Sequence, residues 1–182
     1  MKLVVLAVLL GATLVARAQP ERIILIRHAE KPDDTFNSNL SPVGLDRAER
    51  LVKWLTKGKV LGTNGVPTAI YASAPTHNGR SLRCVQTMEP IARALNVQIQ
   101  TPYSALNYDR LARLILHDKS LQGKNVVICW VHEYIPEFTA AFGVKKPPQK
   151  WKDEDYDSAY VLTFPDGKAK LEVTRERLKK KS

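Results

Sequence analysis

Apolar positions fall into two alternating patterns along the chain. Residues 22–26 form a short β-branched run straight after Pro20, near-continuous in apolarity, as in a strand covered on both faces. The run stops at Arg27-His28. A polar loop over 31–39 leads to Ser41-Pro42-Val43-Gly44, which opens an amphipathic helix with Ser41 as N-cap and Pro42 as first helical residue. Leu45, Ala48, Leu51, Val52 and Leu55 are its predicted buried stripe. A glycine-bearing loop over 58–67 precedes a second strand at 68–72, a polar loop at 73–78 and a helix running to about Leu95. Residues 97–100 predict a third strand and 109–117 a third helix. Residues 126–131 are the strongest candidate for a buried strand, which also stops at a histidine, His132. A short helix at 135–142 and a terminal hairpin, 160–164 and 169–173 around Pro165-Asp166-Gly167, complete the pattern.

Strands alternating with helices predict an α/β fold, a mostly parallel sheet with helices on both faces and a C-terminal β-hairpin. In such sheets ligands bind beyond the carboxyl ends of the strands. His28 and His132, far apart in sequence, are therefore expected to face one crevice with Arg27 beside them. The helix after the second strand should start at the same rim, with Arg80 and Arg83 on one face three residues apart.

Composition narrows the class without naming the chemistry. The 182 residues, 44% hydrophobic and 25% charged, suit a single buried core and exclude wholesale disorder, collagen-like, coiled-coil and multispan membrane chains. The net charge of +10 favours anionic partners of unspecified kind. Met1-Lys2, an apolar run over 3–15 and Ala16-Arg17-Ala18 have the pattern of a cleaved secretory signal, so residues 1–18 are predicted to be removed and the protein secreted. The apolar run is shorter than the ~20 residues a spanning helix needs, and no membrane span is expected. Residues 19–182 then form one domain ending in a basic tail, Lys179-Lys180-Lys181, read as solvated and without specific nucleic-acid binding. Cys84 and Cys129 would meet an oxidising compartment and could pair, but their apolar settings read as two buried small hydrophobes. Asn39-Leu40-Ser41 is a glycosylation acceptor pattern followed directly by Pro42.

Two imidazoles converging with two or three guanidiniums suit some ligands better than others. Glu30 and Glu133 could supply carboxylates to a metal, but Arg27 and Arg83 would oppose a divalent ion, so no metal site is assigned. Guanidiniums donating paired hydrogen bonds, together with a helix N-terminus, match a phosphate dianion, and an imidazole at the bottom of such a pocket can be a nucleophile. His77 and His117 lack strand-end placement and read as surface residues.

The residues resemble the histidine phosphatase superfamily, the phosphoglycerate-mutase-like group, and its small minimal members in particular, over about 22–164. Ile26-Arg27-His28-Ala29-Glu30 is similar to the group's Arg-His-Gly motif with Ala for Gly. The stretch Leu40-Ser41-Pro42-Val43-Gly44 through Ala48 is similar to Leu-Thr-x-x-Gly-x-x-Gln-Ala, and Arg83-Cys84-Val85-Gln86-Thr87 to Arg-x-x-Gln-Thr. Trp130-Val131-His132-Glu133-Tyr134-Ile135-Pro136 is similar to the strand end that carries the second histidine, and Tyr156-Asp157-Ser158 also fits.

The resemblance implies a three-layer sandwich and a metal-free, cofactor-free phosphoryl transfer. His28 would be the nucleophile, with Arg27, Arg83 and His132 on the phosphoryl oxygens. Arg80 would be either a further substrate ligand or a solvated helix charge. Glu133 or Asp109 would protonate the leaving oxygen, unless the leaving group needs neither. The implied function is a secreted phosphatase releasing inorganic phosphate from phosphorylated small molecules or phosphoproteins. The alternatives are a secreted phosphate-ligand-binding protein or effector without turnover and, for a chain this short the poorer fit, a phosphomutase. Tyr103, Tyr108, Tyr134 and Trp151 are expected to touch whatever carries the phosphate, and Lys145, Lys146, Lys150 and Lys152 either make the entrance positive or lie in a solvated loop.

Overall fold

A strand of six residues, β1 (Arg22–Arg27), begins the fold and is buried from its second residue onward. In the computed structural model, which describes residues 19–34, 37–79 and 81–178, there follow α1 (Pro42–Lys57), β2 (Ala69–Ala72), α2 (Leu82–Leu95), β3 (Ile99–Gln100), α3 (Tyr108–His117), β4 (Asn125–Trp130), α4 (Ile135–Ala141), β5 (Ser158–Thr163) and β6 (Lys170–Arg175). The predicted signal over 1–18, Arg80 and the Lys179-Lys180-Lys181 tail lie outside the described residues.

One six-stranded sheet runs in the order β3-β2-β4-β1-β5-β6. Its first four strands are mutually parallel, β5 runs antiparallel to β1, and β5 and β6 pair antiparallel as a hairpin. The sheet is therefore mostly parallel, as the alternating pattern predicted. Successive side chains of a strand point to opposite faces, and both faces are covered. Ile23, Leu25, Val126 and Ile128 belong to a core layer with Ile115 of α3 and Phe138 of α4. Ile24, Ile26, Val127 and Cys129 belong to the opposite layer with Leu51 of α1 and Met88 of α2. This double covering explains why β1 and β4 read as continuous apolar runs. Each fully buried aliphatic or aromatic side chain contributes about 1.5–3 kcal/mol.

Several boundaries differ from the pattern for identifiable reasons. Ser41 caps α1 by accepting a hydrogen bond from the Gly44 amide at 3.0 Å, but the buried face runs Gly44, Arg47, Ala48, Leu51, Leu55. Leu45 is 53% exposed and Val52 only half-buried, because the face has turned to seat Arg47, whose guanidinium grips Glu176 beyond β6 in a sealed bidentate pair. Burial pushes the Glu176 carboxyl up to about 7, although Arg47 works against the shift. The third strand is only two residues long because Asn96, at φ 53, ends α2 in the left-handed region and turns the Val97 amide back to Ala92 O at 3.0 Å. The last hairpin starts earlier, at Ser158, which Asp155 holds through both amide and hydroxyl. Cys84 on α2 and Cys129 on β4 are both buried as free thiols in one core layer, the small-hydrophobe arrangement.

Candidate active site

The parallel register of β1 with β4 sets Arg27 opposite Trp130, so the two strands end level. His28 and His132 consequently emerge at the same edge with ring centroids 6.5 Å apart and planes at 83°. The crevice expected from the two strand-end histidines is there.

His28 is held by backbone. A carbonyl can only accept, so the 2.7 Å contact of Nδ1 with Ala29 O places the ring proton on Nδ1 and the free lone pair on Nε2. The Ala29 amide donates to Thr87 Oγ1 at 2.8 Å, and Thr87 in turn donates to Arg83 O at 2.6 Å. Glu30 O, one residue further, accepts from both the amide and the hydroxyl of Ser41. Gly44 makes that approach possible, since a Cβ there would stand 2.4 Å from Glu30 O. Burial, aided by Arg27, Arg83 and His132, pushes the His28 imidazole down to about 3 although the Ala29 bond opposes it, so the ring is neutral at ordinary pH.

The Arg-x-x-Gln-Thr spacing places three side chains of α2 on one job. Arg83 donates to Asn39 O at 3.0 Å and Asn37 O at 2.5 Å, while Gln86 accepts from the Leu40 amide and donates to Asn39 Oδ1. Together with Thr87 they tie the loop after β1 to the start of α2.

Arg27 and His132 are held differently. Nη1 of Arg27 donates to three carbonyls of the 152–155 loop, most closely to Asp153 O at 2.7 Å, and its guanidinium carbon lies 3.9 Å from the centre of the Tyr156 ring. Its Nη2 donates to His132 Nδ1 at 3.2 Å, so the His132 proton sits on Nε2, which donates to Asp153 Oδ1 at 3.2 Å. Burial and Arg27 lower the His132 pKa, with Glu133 and Asp153 opposing.

Arg27, His28, Arg83 and His132 line one cavity of about 470 Å³, and Glu133 lines it too. Asp109 does not line it; its carboxylate pairs with Arg113 at 2.8 Å along α3. Tyr134 borders the cavity and Tyr108 stacks behind it at 6.0 Å, whereas Trp151 is buried against Tyr160 and Tyr103 packs on the core. The lysines at 145, 146, 150 and 152 are exposed but do not line it, and His77 and His117 are exposed as expected. Lys31 does line it, and Ser81 at its rim is held at φ 68. Sequence reasoning assigned Lys31, Ser81, Tyr156 and Asp153 no role in the site. Lys31 directly follows the stretch 26–30 that carries Arg27-His28, and Tyr156 opens the triplet before the hairpin, which are usable signals; Asp153 carries none. Among the described residues, no group of three or more histidine, cysteine, aspartate or glutamate side chains could hold a metal ion, and no helix is long and apolar enough to cross a membrane.

Comparison with solved structures bears on the fold. The chain is similar to the protein histidine phosphatase SixA in complex with tungstate, at TM-score 0.60 and 16% identity over 85% of this chain and 97% of that one. It is also similar to a mycobacterial glucosyl-3-phosphoglycerate phosphatase in complex with inorganic phosphate, at TM-score 0.58 and 16% identity over 85% and 97% of the two chains. A phosphoserine phosphatase mutant from Entamoeba histolytica in complex with phosphoserine gives TM-score 0.57 and 17% identity over 86% and 98%. No family model and no curated protein matches the sequence. The chain therefore has the phosphoglycerate-mutase-like fold that these phosphatases share.

Proposed function

We propose that the protein is a phosphatase that hydrolyses phosphomonoesters or phosphoproteins through a phosphohistidine on His28, without a metal. The observation that carries this reading is the 2.7 Å bond from His28 Nδ1 to Ala29 O, which leaves the Nε2 lone pair on a neutral imidazole in a cavity it shares with Arg27, Arg83 and His132. Nε2 attacks phosphorus as the bond to the leaving oxygen breaks, and that oxygen takes a proton from Glu133 or from water. Water then attacks the phosphohistidine, the N–P bond breaks and inorganic phosphate leaves, regenerating His28. One difficult displacement becomes two easier ones. Arg27, Arg83 and His132 hold the equatorial oxygens, where charge lies in the transition state. For His132 the available proton is on Nε2, so a bound phosphate takes the place of Asp153, whose side chain is 77% exposed and free to leave.

The pattern over 1–18 supports secretion of the mature chain from Gln19. The test is hydrolysis of p-nitrophenyl phosphate by that chain, with and without chelator, in wild type and His28→Ala. Chelator-resistant turnover that disappears in the variant supports the proposal. A folded wild type that binds phosphate, read as a raised Tm, yet hydrolyses nothing would instead favour the binding-protein reading.

A further inference from the structure

We infer that the preferred substrates are aryl phosphate monoesters, phosphate carried on an aromatic hydroxyl, an inference that rests on the phosphatase reading of the same cavity. In-line attack by His28 at the cavity floor directs the leaving group away from it, toward the mouth. That mouth is asymmetric. Arg27, His28 and His132 are the nearly buried members of its lining, whereas Ala105, Leu106, Val131 and Tyr134 add apolar surface. Leu106 is 70% exposed, an unusual position for a leucine at the opening of a polar site.

This apolar surface is built, not incidental. Trp130 Nε1 donates to Ala105 O at 3.1 Å, Asn107 Nδ2 donates to Ser104 Oγ at 2.9 Å, and both fix the short helical turn that carries Leu106. Tyr134, which also lines the cavity, is backed by Tyr108 at 6.0 Å and a near-parallel 23°. The cavity, at about 470 Å³, falls in the ~300–1,000 Å³ range that organic ligands fill, so it accommodates more than a phosphoryl group. A planar ring in contact with Leu106 and Tyr134 buries apolar surface; a glycerol or serine leaving group buries little and desolvates its own polar atoms.

The acid supply points the same way. Asp109 is turned to Arg113, which leaves Glu133 as the one acidic side chain lining the cavity among the described residues. A phenolate is a much weaker base than an alkoxide and departs with less help from a proton donor.

Intrinsic reactivity also favours aryl esters, so the test separates binding from turnover. Binding of phenyl phosphate and of glycerol 2-phosphate to His28→Asn, which cannot form the intermediate, is measured by calorimetry, alone and combined with Leu106→Asn. The expected result is about tenfold tighter binding of phenyl phosphate, reduced about fivefold by Leu106→Asn with inorganic phosphate binding unchanged, the scale of one pocket contact. Equal affinities, or a preference that survives Leu106→Asn, would overturn the inference. In the wild type, phosphotyrosine is expected to exceed phosphoserine in kcat/KM, with the ratio falling in Leu106→Asn. Equal rates with an unchanged ratio remove the aryl preference and leave the phosphatase reading intact. Failure of the folded wild type to hydrolyse any ester removes both. Turnover of a phosphotyrosyl peptide at least as fast as the free amino acid identifies a protein side chain as the source of the aryl phosphate; the opposite order identifies small molecules.

Discussion

The two histidines occupy equivalent places, each at the carboxyl end of a parallel strand and each nearly buried at 7% and 8% exposure, yet they are held by different means. His28 is oriented by its neighbour's carbonyl, and that backbone is secured by Thr87 and Ser41, so its geometry is set within three consecutive motifs. His132 is oriented by side chains, Arg27 on one nitrogen and the exposed Asp153 on the other. In the proposed mechanism His28 must present one lone pair in one direction before any ligand arrives, and backbone support does that. A phosphate ligand can exchange its partner when the substrate enters, and an exposed aspartate permits it.

Removing each imidazole should expose this contrast first. His28→Ala is expected to abolish turnover, a loss on the order of 10⁵-fold or more, as for removal of a nucleophile elsewhere. His132→Ala should cost ~10²–10³, the scale of one transition-state donor; both are read as kcat/KM on p-nitrophenyl phosphate, and equal losses would erase the distinction. The backbone support is tested by Gly44→Ala, whose methyl would press on Glu30 O. A cost of about 1–3 kcal/mol in stability is expected from this overpacking, measured by denaturant unfolding, with activity falling alongside. Titration sharpens the comparison next. Between pH 6.5 and about 3 the unfolded His28 binds a proton that the folded one does not, so stability contributed by the neutral ring is full above 6.5 and lost as pH falls. His28→Asn should therefore lose less stability than wild type between pH 6.5 and 4, and the kcat/KM profile should show no nucleophile titration near 6.5. The smallest effect is expected for Asp153→Asn. Loss of so exposed a contact has a small effect, and it should tighten phosphate binding by no more than about fivefold; weaker binding would mean that Asp153 positions His132 for the substrate.

Legibility in the sequence followed the range of the interactions. The strands β1 and β4, the cap at Ser41 and the strand-end histidines were readable because hydrophobic period and capping chemistry act over a few residues. The stripe of α1 was misread at Leu45 because its rotation is decided by Arg47 meeting Glu176, 129 residues away. Asp109 and Glu133 could not be told apart as proton donors in the sequence; only packing shows one turned along α3 and the other lining the cavity.

What the sequence determined by itself is local: alternating apolar periods demand a doubly covered parallel sheet, and each strand that ends in histidine delivers an imidazole to its carboxyl edge. Tertiary structure alone decided which tautomers those imidazoles adopt, which loop crosses Arg27, and that Leu106 stands exposed at the mouth. These depend on contacts between residues far apart in the chain, whose partners no periodicity records, because the sheet brings them together only after it has folded.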